Sequence, residues 1–396
     1  MTVLSRTAPG AVLAGAVAAQ TAVSIVNFGL PAVGPELQGD FDLTLFELGA
    51  VLTAGLLGAG VTLVAAGILV DRVGARAAML AGTAVGSLGL ALAAAAPAKE
   101  TLFLALFVFG IGSSVVPIAG TGALFRAYPP ARRGWALGVR QTAVPLGGAV
   151  AAVLFPALYA LGGAGLTLAA SAVAVAITGT WFTVVVSTDR PDRRQVGRGS
   201  LATILRAPGV PTLLAVAACY VVVLQALLAF LVPAVESSGH SELTASIAYF
   251  AVNLAAGVAR IMWGSVADRG GGARRVRTLV EVGVVASVGA LVFGLALHAG
   301  PGAVVLAAVA FGLGALGWNA LVYLSAGERV DPALAGRSVA VAATVVFVLS
   351  GIATPVLGGV IDLVGWDALW IACAALAALG ASLAFRLPAQ AVGNRA

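Results

Sequence analysis

Two short stretches of this chain repeat one pattern. Residues 67–76 read GILVDRVGAR, and residues 264–275 read GSVADRGGGARR. Each has a glycine, then an Asp-Arg pair after three residues, then one residue, a second glycine and basic residues. The two copies lie about half a chain length apart, and each follows a long apolar run. A repeat at that distance predicts a chain built from two related halves.

Apolar runs long enough to cross a membrane as helices surround both copies. The chain has 396 residues, 60% of them hydrophobic and 10% charged, and a helix of about 20 apolar residues crosses a bilayer. Reading these runs predicts an all-α membrane protein with twelve transmembrane helices in two six-helix bundles. The spans are expected at residues 10–33, 44–70, 77–97, 101–124, 135–158, 163–187, 209–234, 244–266, 278–298, 301–325, 337–360 and 364–385.

The longest polar stretch lies in the middle of the chain and separates the two sets of spans. It begins at Thr188, ends near Pro208 and is rich in arginine. The sequence therefore predicts an N-terminal bundle at 1–187, a cytoplasmic linker at 188–208 and a C-terminal bundle at 209–396.

The basic residues outside the spans fall almost entirely on one side of this arrangement. Because short cytoplasmic loops are enriched in Lys and Arg, this distribution predicts a multi-pass protein of the cytoplasmic (inner) membrane with both termini in the cytoplasm. Only Lys99 falls on the outer side. The net charge of +6 is thus explained by topology, and no nucleic-acid partner is expected. The predicted inner segments hold Arg6, Arg72, Arg76, Arg126, Arg132, Arg133, Arg190, Arg193, Arg194, Arg198, Arg206, Arg269, Arg274, Arg275, Arg277, Arg329, Arg337, Arg386 and Arg395.

The repeated motif resembles the signature of the major facilitator superfamily, Gly-x-x-x-Asp-Arg-x-Gly followed by two basic residues. Ala75 departs from that signature, and the second copy contains an extra glycine. The resemblance implies a monomeric carrier of a small molecule in the lipid bilayer, working by alternating access. It also implies a cytoplasmic gate in which the aspartates brace helix ends and the arginines anchor at the lipid surface. The alternative is that these short basic loops only set the topology. The gating residues implied are Gly67, Asp71, Arg72, Gly74, Arg76, Gly264, Asp268 and Arg269.

Two finer resemblances concern individual helices. Residues 132–148, RRGWALGVRQTAVPLGG, resemble bacterial carriers grouped with the cyanate and nitroimidazole permeases. The eighth predicted span, with Arg260 four residues before Gly264, resembles the carboxylate-binding helix of monocarboxylate transporters.

Arg140 and Arg260 are the two basic residues that fall inside predicted spans. A charged side chain in a membrane is costly, so it usually has a functional role. A guanidinium offers a two-pronged donor to a carboxylate or a similar group, and these residues therefore predict an organic or small inorganic anion as substrate. Alternatively, each arginine extends its charged end to the cytoplasmic surface or serves the gate.

Other polar residues in the spans follow helical spacing and extend the candidate site. Residues three or four apart share one face of a helix, and such a face lines a cavity or packs against a neighbouring helix. The candidate substrate-binding residues are Gln20, Asn27, Arg140, Gln141, Tyr249, Asn253, Arg260, Trp318, Asn319 and Tyr323.

Acidic residues fall near the ends of the spans rather than at their centres, as Glu47, Glu281 and Asp362 show. Because drug/proton antiporters usually carry a central acid, proton-coupled efflux of amphipathic compounds is the second hypothesis. Protons remain a candidate coupling ion for an anion carrier. His240 and His298 lie near outer ends, and the sequence has neither a nucleophile constellation nor a nucleotide-binding loop, so an enzyme and a cofactor are not expected.

Overall fold

The computed structural model describes residues 8–186, 201–269, 271–331 and 334–388. Throughout these ranges the secondary structure is helical, which confirms the prediction of an all-α chain. The helices are α1 (Pro9–Ala32), α2 (Gly34–Phe41), α3 (Leu45–Ala94), α4 (Lys99–Ser113), α5 (Val115–Ala127), α6 (Pro130–Gln141), α7 (Ala143–Val185), α8 (Leu201–Leu205), α9 (Val210–Ser237), α10 (Glu242–Asp268), α11 (Gly271–Ala296), α12 (Pro301–Ala315), α13 (Asn319–Glu328), α14 (Ala335–Val364) and α15 (Trp366–Phe385).

Ten helical stretches in the described ranges are long and apolar enough to cross a membrane. Two of them, Leu45–Ala94 with 50 residues and Val139–Val185 with 47 residues, far exceed the roughly 20 residues of one crossing. Each is interrupted by glycine. The helix α3 leaves helical geometry at Gly74, and α7 does so at Gly162 and Gly163.

Gly74 is the second glycine of the repeated motif, and its backbone explains why glycine stands there. Its φ is 85°, in the left-handed region that a residue with a Cβ rarely adopts. The motif therefore marks the point at which α3 breaks. The predicted spans 44–70 and 77–97 lie on the two sides of this break.

The chain divides into two compact units. The first comprises Met1–Val33 and Val51–Arg194, and the second comprises Gly34–Ala50 and Gln195–Ala396. The second unit thus includes α2 and the first residues of α3. The predicted linker arginines Arg190, Arg193, Arg194 and Arg198 lie outside the described residues, as do Arg6 and Arg395, and the predicted domain boundaries stay predictions.

The first unit is built on close helix contacts made by small residues. A Cβ on Gly29 of α1 would lie 2.5 Å from the ring of Phe155 in α7. A Cβ on Gly147 of α7 would lie equally close, at 2.5 Å, to the Cβ of Ser24. Small residues of this kind let membrane helices approach one another closely. The packing holds α1 against α7, with α5 and α6 beside α1.

The second unit has an aromatic and hydrogen-bonded interior. The hydroxyl of Tyr220 in α9 donates to the carbonyl of Leu279 in α11 at 2.7 Å. The rings of Phe293 and Trp370 meet edge to face, with centroids 4.9 Å apart. The helices α10, α14 and α15 pack against α9, the most buried of the ten membrane-length stretches.

A helix interruption also occurs in the second unit, between α12 and α13. The helix α12 ends at Ala315 and α13 begins at Asn319. A helix end leaves backbone carbonyls without partners inside the helix, and Trp263 satisfies one of them by donating from Nε1 to the carbonyl of Leu313 at 2.8 Å. The predicted span 301–325 is therefore two helices, and Asn319 occupies the first turn of the second.

Candidate functional site

Arg140 lies at the centre of a polar cluster in the first unit. It is the penultimate residue of α6 and is only 4% exposed. Its Nη2 donates to Oε1 of Gln20 in α1 at 2.8 Å, and its Nη1 donates to Oγ1 of Thr121 in α5 at 3.0 Å. We call these three residues the Arg140 cluster; it joins the consecutive helices α5 and α6 to α1, which lies 120 residues earlier in the chain.

The two acceptors are held by their own helices. Thr121 donates its hydroxyl to the carbonyl of Pro117 at 2.7 Å, which leaves an oxygen lone pair for Arg140. Gln20, Ser24 and Asn27 follow one another at helical spacing on α1, and Gln20 is the member that reaches the guanidinium. Helical geometry thus delivers one neutral acceptor from each of α1 and α5.

Within the described ranges the charge of Arg140 has no acidic partner, and none of the ion pairs there involves it. Its Nε is enclosed and makes no hydrogen bond to the described residues. Burying an uncompensated charge costs several kcal/mol or more, and the two neutral acceptors offset only part of that cost.

The other candidate residues of the first unit lie differently. Asn27 is half-buried and makes no hydrogen bond to the described residues. Its Oδ1 lies beside Gly55 of α3, 3.4 Å from the position that a Cβ on that glycine would take. Gln141 follows Arg140 directly but is exposed. The structure therefore groups Gln20 with Arg140 and leaves Gln141 apart from the cluster.

The second unit holds a group formed by Arg260, Asn319 and Tyr323, which we call the Arg260 group. Arg260 lies within electrostatic range of Tyr323. Asn319 is included because it lies four residues before Tyr323, on the same face of α13. The Nε of Arg260 and the Oδ1 of Asn319 are both enclosed without a hydrogen-bond partner in the described part of the chain. The group thus combines a cation with an unsatisfied amide at the start of a helix.

The remaining candidates of the second unit are packed into its interior. Tyr249 is fully buried, and Asn253 is 1% exposed and donates from Nδ2 to the carbonyl of Tyr249 at 2.9 Å. Trp318 is fully buried, with its ring centroid 6.0 Å from that of Tyr220 and its Nε1 donating to the carbonyl of Ala315 at 2.9 Å. Their proposed contact with a substrate stays a prediction.

The first copy of the repeated motif lies at the break of α3. Gly67 is half-buried, whereas Asp71, Arg72 and Arg76 are exposed beside Gly74. A basic pair beside such a break is suited to an anionic lipid surface. Their role in a gate stays a prediction.

The second copy lies between α10 and α11. A Cβ on Gly264 would meet no atom within 4 Å, Arg269 is exposed, and the side chain of Asp268 lies outside the described residues. Beyond the predicted set, Arg274 pairs with Glu281, and Arg275 pairs with Glu328 of α13.

Sequence reasoning missed the ion-pair partners Glu281 and Glu328, as well as Asp362. The carboxylate of Asp362 in α14 accepts from the backbone nitrogens of Leu45 at 3.3 Å and Phe46 at 3.1 Å. The sequence did show that Asp362 is an acid near the end of a predicted span. It could not show that Asp362 contacts Leu45 and Phe46, because these residues lie more than 300 positions away. Metal binding has no support in the described ranges, where no three His, Cys, Asp or Glu side chains form a group that could hold an ion.

Apolar helices of membrane-crossing length, interrupted by glycine and enclosing two arginines, define a multi-pass membrane protein. The family model of the Major Facilitator Superfamily matches residues 12–355. The chain therefore belongs to the Major Facilitator Superfamily and is a secondary transporter rather than an enzyme.

Relatives of known sequence agree with this assignment. An uncharacterized MFS-type transporter of Mycobacterium tuberculosis is 26% identical over 375 residues, which cover 90% of this chain and 83% of the relative. The hexuronate transporter of Bacillus subtilis is 25% identical over 130 residues, or 32% of this chain and 31% of that transporter.

Solved structures show the same fold. A D-xylose-proton symporter matches with a TM-score of 0.79 and 13% identity, over 96% of this chain and 98% of the symporter. A bacterial homologue of the human lysosomal transporter Spinster matches with a TM-score of 0.75 and 16% identity, over 94% of this chain and 95% of that protein. At these identities the likeness concerns the fold alone.

Proposed function

We propose that the chain carries a small anion across the cytoplasmic membrane by alternating access. The observation that carries this proposal is Arg140, a buried guanidinium that two neutral acceptors hold in place and that no acid among the described residues neutralises. A site of this kind gains most from a ligand that supplies the missing negative charge, because the cost of the buried cation is then offset. Carboxylates and similar oxyanions also match the donor geometry of a guanidinium.

The Arg260 group supports the same substrate class. Arg260 makes no hydrogen bond or ion pair with the described residues, and its Nε is enclosed. Asn319 lies at the N-terminus of α13, where backbone N–H groups and the helix dipole favour negative charge. Each unit thus presents an arginine that lacks a countercharge in the part of the chain that the structure describes.

The interrupted helices support a topology of twelve spans with both termini in the cytoplasm. If the two long stretches containing Gly74 and Gly162 each cross the bilayer twice, the ten stretches become twelve spans. The same assignment collects nearly all basic residues on one side, as expected for cytoplasmic loops. We further propose that the carrier acts as a monomer in the inner membrane.

The relatives add one substrate hint. A hexuronate is a sugar carboxylate, so the name of the Bacillus subtilis relative describes an organic anion. Efflux of amphipathic compounds gains less support, because Trp318, the large aromatic side chain proposed to contact them, is fully buried against Tyr220. We therefore retain the anion as the preferred substrate class, with protons as the coupling ion to test.

Thermal stabilisation of the purified full chain tests this proposal. The ligands are formate, acetate, lactate, glucuronate, nitrate and phosphate, with hydrophobic drugs as the opposing panel. We expect at least one anion to raise the melting temperature of wild type, and the shift to disappear in Arg140→Met and Arg260→Met. The matched control is Arg206→Met, which removes an exposed arginine and should preserve the shift.

Two outcomes would refute an anion carrier. One is stabilisation by drugs that neither arginine substitution changes. The other is stabilisation by an anion that persists in both variants. For any anion that passes this test, uptake into proteoliposomes with and without an imposed pH gradient then shows whether protons are coupled.

A further inference from the structure

We propose that Gln20 is the positioning residue that makes the Arg140 cluster select the ionised form of its substrate over a neutral analogue. This inference rests on the proposed function and specifies which chemical form of the substrate is bound. It is carried by the neutrality of both acceptors, by the orientation of the Gln20 amide and by the burial of Arg140.

The side-chain amide of Gln20 can face Arg140 in only one orientation. A guanidinium is a donor at every nitrogen, so the group 2.8 Å from Nη2 must be the amide oxygen, Oε1. The amide nitrogen then points away with two N–H donors, for which the described residues supply no hydrogen bond. Gln20 is half-buried, and this nitrogen is not among the enclosed polar atoms. It is therefore left as a donor to a ligand.

The acceptors orient Arg140 without neutralising it. Most buried arginines are paired with a carboxylate, which cancels the charge as it fixes the geometry. Here an amide oxygen and the hydroxyl of Thr121 fix two terminal nitrogens, and neither carries a charge. The full positive charge of Arg140 therefore stays available to a ligand.

The resulting cluster presents donors and one positive charge. A guanidinium has five N–H donors. Gln20 and Thr121 each accept from one terminal nitrogen, which leaves the second N–H of each terminal nitrogen for a ligand, whereas the Nε–H is enclosed. An ionised carboxylate has only acceptors, so it matches both the donors and the charge. The protonated acid and the amide each bring N–H or O–H donors that face the donors of the cluster, and neither supplies a negative charge. Both are therefore disfavoured relative to the carboxylate.

Gln20→Glu changes this chemistry with minimal change in shape. A glutamate at this position would keep an oxygen against Nη2 but would supply the countercharge from within the protein. We expect the affinity for an ionised ligand to fall by about tenfold or more, since a hydrogen-bonded charge pair would have to be broken. A neutral amide should lose much less affinity, because it needs no uncompensated charge and its N–H can donate to the new carboxylate.

The experiment compares each stabilising monocarboxylate with its amide, for example acetate with acetamide and lactate with lactamide, on the purified full chain. Apparent Kd values from thermal shifts are measured for wild type, Gln20→Glu, Gln20→Met and Arg140→Met. The matched control is Gln38→Glu, the same change at another half-buried glutamine, whose side chain makes no hydrogen bond to the described residues.

The expected result is a preference for the carboxylate in wild type and in Gln38→Glu. This preference should fall by about tenfold or more in Gln20→Glu. In Gln20→Met, which removes the acceptor but adds no charge, the carboxylate should bind more weakly and still be preferred. A change of preference between carboxylate and amide cannot arise from a general loss of folding, because misfolding would weaken both ligands together.

The inference is overturned if Gln20→Glu keeps the wild-type preference while Arg140→Met abolishes carboxylate binding; the proposed function then survives. If Arg140→Met and Arg260→Met both retain carboxylate binding, the proposed function fails, and the inference fails with it. The inference is also overturned if Gln20→Glu and Gln20→Met each weaken the binding of carboxylate and amide by equal factors. Gln20 would then have only a structural role.

Discussion

Arg274 and Glu281 form a two-point ion pair, in which Nη1 lies 3.0 Å from Oε1 and Nη2 lies 3.1 Å from Oε2. Arg277 approaches the same carboxylate, with its Nε 3.3 Å from Oε1. Arg274, a basic residue at the end of the second motif copy, thus makes this contact within α11.

The geometry of this pair predicts a measurable coupling energy. Both side chains are about one third exposed, at 31% and 30%, so solvent screening limits the energy to about 1 kcal/mol despite the two-point geometry. A double-mutant cycle of Arg274→Ala and Glu281→Ala, with unfolding by SDS in mixed micelles, measures it. The cycle of Arg277→Ala with Glu281→Ala is the control, because Arg277 is 75% exposed. The prediction is wrong if the Arg277 cycle gives the larger coupling.

Asp362 should stabilise the start of α3. Its carboxylate accepts from two backbone nitrogens of the first turn, those of Leu45 and Phe46, which have no partner inside the helix. We expect Asp362→Ala to lower the free energy of unfolding by about 1 kcal/mol, the usual effect of removing a cap, and Asp362→Asn to lose less. Unfolding by SDS measures both variants. Equal stability of Asp362→Ala and wild type would show that water replaces the carboxylate.

Gly120 should matter for ligand binding because it lies against Arg140. A Cβ at this position would come 3.1 Å from Nε, so the guanidinium would have to shift by a few tenths of an ångström. We expect Gly120→Ala to weaken anion binding by about five- to tenfold, since crowding a packed group costs roughly 1 kcal/mol. Gly122→Ala is the control, with its nearest neighbour, Nη1 of Arg126, at an ordinary 3.6 Å. Identical anion affinities in the two variants would contradict the prediction.

Asn319 should show the signature of a residue kept for binding rather than for stability. Its Oδ1 is enclosed without a partner, and an unsatisfied buried acceptor costs about 1–3 kcal/mol. We expect Asn319→Leu to leave the melting temperature of the ligand-free protein unchanged or higher. It should also reduce stabilisation by an anion, because the substitution removes the amide N–H donors of Asn319. A lower melting temperature together with unchanged anion stabilisation would instead assign Asn319 a structural role.

Glu36 should make stability depend on pH. Burial raises the pKa of this carboxyl above its ordinary value of 4.5, and the nearby acids Glu242 and Asp40 raise it further. The folded protein therefore holds this proton more tightly than the unfolded chain, and the resulting stability is lost as pH rises through the folded pKa. Melting temperatures across this range should fall less steeply with pH in Glu36→Gln than in wild type. Parallel curves would exclude Glu36 as the source.

The sequence was informative about the fold because the constraint that acts on it is strong. In a bilayer every backbone polar group must be satisfied within its own segment, so long apolar runs have to be helices. The breaks were harder to place. Gly74 stood in a recognisable motif, but no motif of that kind marked the interruption between α12 and α13 at residues 316–318.

The candidate sites were predicted unevenly. Arg140 and Arg260 could be singled out because a charge in an apolar run is rare and costly. Their partners could not, because helical spacing assigns a residue to a face and leaves open which helix that face meets. Trp318 illustrates the limit: its neighbourhood indicated a substrate contact, whereas the packing buries it against Tyr220.

The sequence by itself determined that the chain is helical and membrane-embedded, which of its charges lie inside helices, and the repeat that relates its halves. These properties follow from composition and period, and they are local in the chain. The tertiary structure alone decided that Gln20 and Thr121 hold Arg140, that Arg274 pairs with Glu281, and that Asp362 caps α3. Each of these contacts requires atoms within about 3 Å of one another, a distance that packing sets and that spacing along the chain does not encode.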